Sequence, residues 1–244
     1  MELPSVSILT PVYNRNKFLP LMIMNMEMIN YPKENLEWVI LDSWSRDGKV
    51  GERLFEHDDM ISFYSKKIGI KIKYIYKPEA MSIGKKRNTL VKMSSYNILI
   101  NMDSDDIYLP NYIQYSVKTL IENKRHCVGS PQMLFVYPND NYKMTYIVCE
   151  KMRMAHEATM CMTKKHHKRM GGYANSSQGE GSKIIDGCSE KLFQKTDIRH
   201  CMICVCGDHN TIDKNVFNTD RNTLGDVTIE QIPHFKIIKD IFCN

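Results

Sequence analysis

The sequence has no apolar run long enough to cross a membrane. Its most apolar early stretch, residues 18–28, is interrupted by Glu27 and stays short of the ~18 apolar residues that a span needs. The first residues, Met-Glu-Leu-Pro, also lack the basic start of a signal peptide. We therefore expect neither a signal peptide nor a transmembrane segment, and we predict a cytoplasmic protein.

Internal repeats and Gly/Ser-rich linkers are absent as well, so we expect one large domain rather than a string of modules. The hydrophobic fraction of 43% and the charged fraction of 25% are typical of a globular protein with a substantial core. The net charge of +5 would suit a phosphate-bearing ligand. Positive and negative side chains are mixed along the chain, however, so nucleic acid is not expected as a partner.

The chain has 8 cysteines, which could indicate disulfides. Without a signal peptide and with a sizeable core, we expect reduced thiols instead. The spacing of Cys201, Cys204 and Cys206 is compatible with zinc, but no second cysteine pair lies nearby. A buried strand is the interpretation that we favour for this segment.

Strands and helices alternate over the first hundred residues. This alternation is typical of parallel strands joined by crossover helices, which place ligands at the carboxyl ends of the strands. Polar residues follow three of the predicted strands, and residues 42–48 have the Asp, Ser and Gly content of a loop. The predicted strands are residues 6–10, 36–41, 72–76 and 96–102, and the predicted helices are residues 17–30 and a segment capped by Ser82 that runs to Met93.

The pattern changes after residue 106. We expect the basic run at residues 164–169 to be a solvated helix face rather than a binding patch, and the polar residues 174–181 are typical of an active-site loop or a mobile lid. The elements that we predict here are helices at residues 110–122 and 182–194, strands at residues 127–137, 143–149, 159–163 and 201–206, and a short C-terminal helix.

Three carboxylates end the fourth predicted strand, in the segment Asn-Met-Asp-Ser-Asp-Asp at residues 101–106. Side chains alternate in an extended chain, so Asp103 and Asp105 point the same way. Two neighbouring carboxylates outline a site for a hard cation such as Mg²⁺ or Mn²⁺. The alternative is that Asp105 or Asp106 only caps the helix that follows near Pro110.

Several short stretches carry a family resemblance through their order and spacing. They are LTPVYNR at residues 9–15, VILD at 39–42 with SRDG at 45–48, GKKRN at 84–88, NMDSDD at 101–106, and GGY at 171–173 followed by Gly179-Glu180. Together they resemble the inverting, nucleotide-sugar-dependent glycosyltransferases of family 2, which have the GT-A fold. The resemblance covers about residues 5–190.

The resemblance implies an α/β fold with a Rossmann-like, mostly parallel central sheet flanked by helices and a mixed, acceptor-side C-terminal half. It implies one GT-A domain over residues 1–244. Its parts would be a nucleotide-sugar half at residues 1–106, an acceptor and catalytic half at residues 107–215, and a C-terminal extension at residues 216–244.

The family also implies a donor site at the strand ends. Asp42 would accept hydrogen bonds from the base or ribose, and Arg87 would hold the diphosphate, because a guanidinium near a helix start can bind phosphate oxygens in pairs. Trp44 departs from the family pattern in this region and leaves the choice of nucleotide open. The residues implied for nucleotide binding are Thr10, Pro11, Tyr13, Arg15, Asp42, Arg87, Asp103 and Ser104.

Metal binding is implied by the Asp-x-Asp motif Asp103-Ser104-Asp105. Asp105 would be the direct ligand of Mn²⁺ or Mg²⁺, and Asp103 would contact the ribose or the metal. In many GT-A enzymes a histidine after the last core strand completes the metal shell, and His209 has that position here. The alternative is an ordinary histidine in a polar loop.

The catalytic base is where the sequence departs most from the family. The family usually has an acidic pair in or after the Gly-Gly-Tyr loop, whereas this chain has Glu180 followed by Gly181. We assign Glu180 as the base that takes the proton of the acceptor hydroxyl, with Asp186 in reserve. The alternative is that Glu180 is a solvated loop residue.

The resemblance therefore implies transfer of a sugar from a nucleotide-sugar donor, UDP-linked by expectation, to a glycan, lipid or protein hydroxyl with inversion and with the help of a metal. Two other functions stay open. A sugar-1-phosphate nucleotidyltransferase would need a Gly-rich phosphate loop after the first strand, which this chain lacks. An inactive nucleotide-sugar or glycan-binding protein would explain the missing second acid. The oligomeric state is open, a homodimer included.

Overall fold

The computed structural model describes residues 3–44, 49–149, 151–186, 191–225 and 228–243, and these form an α/β structure. The strands are Val6–Val12 (β1), Leu36–Trp44 (β2), Lys71–Ala80 (β3), Ile98–Asn101 (β4), Ile107–Tyr108 (β5), Cys127–Gly129 (β6), Gln132–Tyr137 (β7), Lys143–Val148 (β8), Cys161–Thr163 (β9), Phe193–Lys195 (β10) and Met202–Val205 (β11). The helices are Leu19–Met28 (α1), Asp58–Ile68 (α2), Ile83–Met93 (α3), Tyr112–Glu122 (α4), Lys164–Arg169 (α5), Ser182–Ile185 (α6) and Phe235–Cys243 (α7).

The central sheet has seven strands in the order β10-β6-β9-β4-β1-β2-β3. β4, β1, β2 and β3 are parallel to one another, as the alternating pattern predicted. β1 and β2 are buried along almost their whole length, which is typical of parallel strands covered on both faces. The carboxyl ends of β1, β2 and β4 therefore open at one edge of the sheet. The predicted α/β fold with a mostly parallel sheet is confirmed.

A smaller sheet with the order β5-β11-β7-β8 packs beside the central one. β11 is parallel to β7 and antiparallel to β5, and β7 and β8 form an antiparallel pair. Cys204 of β11 and the flanking Cys201 and Cys206 are buried in the hydrophobic core, as expected for a core strand. This sheet brings the segment after β11 next to the carboxyl end of β1.

Helix α3 begins at the predicted cap. The Oγ of Ser82 accepts a hydrogen bond from the backbone N–H of Lys85 at 3.1 Å. Gly84 in the first turn lies so close to the chain that a Cβ there would overlap the carbonyl oxygen of Ala174. Its N–H donates to the carbonyl of Ser176 at 2.9 Å. The start of α3 is thereby fastened to the polar loop at residues 174–181.

Two predicted elements are wrong. The single strand at residues 127–137 is divided into β6 and β7, which belong to different sheets, because Pro131 cannot donate to a continuous ladder. Of the predicted helix at residues 182–194, the described residues form α6 and the start of β10, where Phe193 pairs with Cys127, and residues 187–190 lie outside the described residues. Sheet pairing overrides the helical periodicity of this segment.

Helix α2 was not predicted; Ile68 is its only buried residue, and its other apolar residues Met60, Ile61 and Tyr64 are partly buried against the core. Its acidic first turn, basic last turn and the left-handed Gly69 at its end are signals of a helix that could have been used. The predicted C-terminal helix is present as α7. Residues 45–48, predicted as part of a loop, lie outside the described residues. Among the described residues, no helix combines the length and the apolar character needed to cross a bilayer.

Candidate active site

A cavity of about 640 Å³ lies at the carboxyl ends of β1 and β4, and we call it the first cavity. This volume is within the usual range of pockets that bind small molecules or cofactors. Its polar walls come from the loop after β1, the first turn of α3, the segment after β4 and the segment after β11. The lining residues are Pro11, Val12, Tyr13, Arg15, Met81, Ile83, Lys86, Asp103, Ser104, Asp105, Ser177, His209 and Thr211.

Three residues predicted for the donor and metal sites meet at the carboxylate of Asp105. The Nε of Arg15 donates to Asp105 Oδ2 at 3.2 Å, and its Nη2 donates to the carbonyl oxygen of His209 at 2.6 Å. The Nε2 of His209 lies 3.6 Å from the same Asp105 oxygen. The loop after β1 and the loop after β11 are thereby joined through one partly exposed ion pair.

The ring of His209 is supported by two aromatic side chains. Its centroid lies 4.7 Å from that of Phe18 and 5.6 Å from that of Phe242 in α7. Burial lowers the pKa of His209 to about 4, so the imidazole is neutral at pH 7. A neutral imidazole can give a nitrogen lone pair to a metal ion.

The side chains near Asp105 can be compared with those that a metal ion needs as ligands. In the part of the chain that the structure describes, no three Asp, Glu, His or Cys side chains converge closely enough to form a metal site by themselves. Asp105 and His209 offer a carboxylate oxygen and a neutral imidazole nitrogen, which suit Mn²⁺. This set fits a metal that takes its remaining ligands from bound phosphate and water, as Mg²⁺ commonly does.

Arg87 is buried and joins two predicted site residues. Its Nη2 donates to Asp103 Oδ2 at 3.0 Å, and its Nε donates to Glu180 Oε1 at 3.0 Å. Burial disfavours its charge, but Asp103 and Glu180 outweigh that effect and raise the pKa of Arg87. Arg87 does not line the first cavity, so its predicted contact with the diphosphate stays a prediction.

A second cavity of about 110 Å³ lies on the other side of Asp103 and Asp105. It is bordered by the loop at residues 174–181 and by the segment after β11. The charged or titratable side chains around it are Arg87, Asp103, Asp105, Asp106, His156, Glu157, Glu180, Cys204 and Lys214. The two cavities share Asp103 and Asp105, so ligands in the two cavities would meet at these carboxylates.

The two candidate bases differ in their position. Glu180 is buried and lines the second cavity, where it forms its ion pair with Arg87. Asp186 follows α6, is exposed and lines neither of these cavities. Glu180 therefore lies in the same cavity as Asp103 and Asp105, Asp186 does not, and the assignment of the base stays a prediction.

Thr10 and Asp42 use their side chains inside the protein. Thr10 Oγ1 accepts a hydrogen bond from Trp38 Nε1 at 2.9 Å. Asp42 Oδ2 accepts from the backbone N–H of Leu54 and from the hydroxyl of Tyr74, both at 2.8 Å. Burial raises the pKa of Asp42. Neither residue lines the first cavity, so both shape the strand ends beneath it, and their contact with a nucleotide stays a prediction.

Lys86 lines the first cavity and was not predicted. Its Nζ donates to the carbonyl oxygens of Val12 at 2.6 Å and Ser43 at 3.2 Å, at the ends of β1 and β2. Burial lowers the pKa of Lys86 to about 7. The consecutive lysines Lys85 and Lys86 before Arg87 were a signal for a basic wall, although the sequence alone does not show which of them points inward.

Comparisons with known proteins give a consistent result. The family model described as glycosyl transferase family 2 matches residues 7–175 of the chain. The chain matches no curated protein sequence. The solved structures that it resembles are related to it by fold, because the sequence identities are only 13–14%.

Three of these structures illustrate the similarity. The crystal structure of S. aureus TarS has a TM-score of 0.63 at 14% identity, over 82% of this chain and 36% of that one. TarS 1–349 in complex with UDP-GlcNAc has a TM-score of 0.63 at 14% identity, over 84% of this chain and 60% of that one. The mannosyltransferase PcManGT from Pyrobaculum calidifontis, in complex with GDP-Man and Mn²⁺, has a TM-score of 0.63 at 13% identity, over 89% of this chain and 59% of that one. The chain thus spans about a third to three fifths of the length of these neighbours.

Proposed function

The chain belongs to glycosyl transferase family 2 and has the GT-A fold, and we propose that it transfers a sugar from a UDP-sugar to an acceptor hydroxyl with inversion. The observation that carries the proposal is the position of Asp103 and Asp105 between two cavities. A nucleotide sugar would occupy the larger cavity and the acceptor hydroxyl the smaller one. The reacting carbon would then lie near the shared carboxylates.

The first cavity is suited to the donor because it offers positive charge to a diphosphate. Arg15 and Lys86 both line it, and Tyr13 adds an aromatic face. Pro11 and Ser104 complete the wall between the ends of β1 and β4. A TarS structure holds UDP-GlcNAc, which supports a UDP-sugar, whereas PcManGT holds GDP-Man. The choice of nucleotide is therefore the first property to measure.

We assign Asp105, Asp103 and His209 to a metal ion, Mn²⁺ or Mg²⁺. When bound, such an ion would stabilise the negative charge that develops on the leaving nucleoside diphosphate. Arg15 pairs with Asp105 in the structure. A cation that takes over this carboxylate would release the Arg15 guanidinium for the diphosphate.

The chemistry proposed for the second cavity is a single displacement. The acceptor oxygen forms a bond to the anomeric carbon while the bond from that carbon to the phosphate oxygen breaks. The electron pair of the broken bond leaves with the nucleoside diphosphate, and the hydroxyl proton passes to Glu180. Arg87 holds the Glu180 carboxylate in the cavity through the Nε contact of 3.0 Å. Attack from the face opposite the leaving group inverts the configuration.

Glu180→Gln tests the assignment of the base. We expect transfer to fall by at least ~100-fold, because the amide cannot take the proton, while donor affinity stays unchanged. Product formation measures the first quantity and calorimetry with UDP the second. Retained transfer by this variant would show that Glu180 is not the base, and loss of transfer in Asp186→Asn instead would reassign the role.

The donor can be identified by thermal unfolding with a panel of nucleotides and nucleotide sugars, each with Mn²⁺ and with a chelator. A ligand at 100 times its Kd should stabilise the protein by about 2.7 kcal/mol. We expect UDP compounds to raise the Tm more than GDP compounds, and more with Mn²⁺ than with chelator. An equal response to all nucleotides would argue against a specific donor site.

A further inference from the structure

The acidic pair that the family resemblance implies is incomplete in the sequence, because Glu180 is followed by Gly181. In the structure, the side chain of Glu157 lies against Gly181. A Cβ on Gly181 would be 2.5 Å from Glu157 Cγ and 3.1 Å from its Cδ. A side chain at position 181 and the carboxyl group of Glu157 would therefore compete for one space, and in this chain Glu157 occupies it.

Glu157 is held in this position from two sides. Its Oε1 accepts a hydrogen bond from the backbone N–H of Gly181 at 3.0 Å. Its backbone carbonyl accepts one from the side-chain amide of Asn101 at 2.7 Å. Asn101 ends β4 and precedes the carboxylate cluster. Glu157 is thus fixed relative to both the Glu180 segment and β4, the strand that precedes Asp103.

The neighbouring charges explain why a second acid would matter. Arg87 is a buried positive charge whose Nε lies 3.0 Å from Glu180 Oε1. A second carboxylate beside this pair would oppose the positive charge of Arg87. Burial, followed by the charge of Glu180, raises the pKa of Glu157, so the two carboxylates interact. Glu157 therefore offsets part of the effect of Arg87.

We propose that Glu157 is the second acid of this site, a positioning residue that keeps Glu180 able to accept the proton of the acceptor hydroxyl. This inference rests on the proposed sugar transfer and on Glu180 as its base. Glu157 comes from a turn 24 residues before Gly181 rather than from the adjacent position. The absence of a side chain at Gly181 is what allows it to approach.

The remaining groups of the second cavity decide how a pH profile would be interpreted. Besides Glu157 and Glu180 they are Arg87, Asp103, Asp105, Asp106, His156, Cys204 and Lys214. Burial lowers the pKa of His156 to about 3, so this ring stays neutral above pH 5. The pKa values of Arg87, Cys204 and Lys214 are raised, so none of these groups loses a proton near pH 7. None of these four groups therefore changes its charge between pH 5 and 7 or adds to the profile.

The test is the pH profile of kcat for Glu157→Gln in the full chain. Glutamine keeps the size of the side chain and an oxygen for the Gly181 N–H, but it removes the charge. We expect the acid limb to move down by about one pH unit and kcat at its optimum to fall about ten-fold, with the donor KM unchanged. Glu122→Gln, at an exposed position at the end of α4, is the matched control and should leave the profile in place.

Gly181→Ala gives a second, independent variant. Gly181 has a φ of −79°, which alanine adopts without strain, so the added methyl group acts only through its contact with Glu157. We expect the same downward movement of the acid limb as in Glu157→Gln. If the pH profiles of kcat of both variants coincide with that of the wild type, the proposed role of Glu157 is wrong, whatever the activity of the variants.

A measurement without turnover separates this inference from the proposed function. The titration of ¹³C-labelled glutamate carboxyl signals can follow Glu180 directly, with Glu180→Gln used for its assignment. We expect the midpoint of Glu180 to fall by about one pH unit in Glu157→Gln. An unmoved midpoint overturns the inference even if the enzyme transfers sugar. A moved midpoint with no transfer to any acceptor would confirm that Glu157 acts on Glu180, and it would count against the proposed sugar transfer.

Discussion

The two cavities border the same pair of carboxylates but balance their charge differently. On the side of the first cavity, Asp105 pairs with Arg15, and both side chains are partly exposed. On the side of the second, Asp103 pairs with Arg87, whose side chain is only 2% exposed. A metal ion or a diphosphate can reach both members of the first pair, whereas in the second pair only Asp103, with 23% of its side chain exposed, is open to a ligand. The donor side can therefore exchange charged ligands, whereas the acceptor side holds its acidic side chains in a fixed arrangement.

The largest effect should come from removing the buried cation. Arg87→Met leaves Asp103 and Glu180 without their shared partner, and we expect a loss of about 3–5 kcal/mol in the free energy of unfolding. Urea denaturation measures this loss. Arg199→Met is the matched control, because Arg199 pairs with Asp197 on the surface and should contribute little. Equal stability of the two variants would contradict a structural role for the buried pair.

Asp105→Asn tests the pair of Arg15 and Asp105 on the side of the first cavity, which charged ligands can reach. With Mn²⁺ present, we expect the affinity for UDP to fall on the order of 100-fold, because a direct ligand of the metal is weakened. In chelator the variant should bind UDP at least as well as the wild type, since Arg15 is released from its carboxylate partner. Calorimetry under both conditions gives the comparison. Wild-type binding that does not respond to chelator would show that no metal takes part.

The smallest of these effects concerns Lys86. Burial lowers its pKa from 10.5 to about 7, so the ammonium is lost as the pH rises through 7, and with it part of the attraction for a diphosphate. We expect UDP affinity to decrease about three- to ten-fold between pH 6 and 8.5 in the wild type. The affinity of Lys86→Met should stay flat over the same range.

Lys85→Met is the matched control for this experiment, because Lys85 is exposed beside Lys86. It should keep the pH dependence of the wild type. The lowered pKa of Lys86 also has a consequence for the stability of the protein. The unfolded chain binds more protons than the folded one between pH 7 and 10.5, so the contribution of Lys86 to stability increases with pH in that window. A UDP affinity of the wild type that does not depend on pH would show that the charge of Lys86 does not contribute to donor binding.

The parts of the fold that depend on local sequence were predictable. β1 and β2 are short apolar runs, Ser82 caps α3 as expected, and parallel strands bring their carboxyl ends together. The meeting of Arg15 and Asp105, which follow β1 and β4, results from this arrangement, whereas the segment that carries His209 is supplied by the smaller sheet. These are properties of short segments and of the sheet edge that they share.

The parts that depend on distant contacts were not predictable. The partners of Arg87 are Asp103 and Glu180, and nothing in the local sequence shows that its guanidinium lies behind the donor cavity. The approach of Glu157 to Gly181 joins segments that are far apart in the chain. β10 likewise forms because Phe193 finds an edge of the sheet beside Cys127. In each case the decisive partner is supplied by the tertiary fold.

The contact between Phe242 and His209 has a practical consequence for experiments on donor binding. Phe242 is part of α7, and its ring lies 5.6 Å from the ring of His209, which lines the first cavity. A substitution in α7 that displaces Phe242 would therefore also disturb His209. Variants made for donor-binding measurements should leave this helix intact.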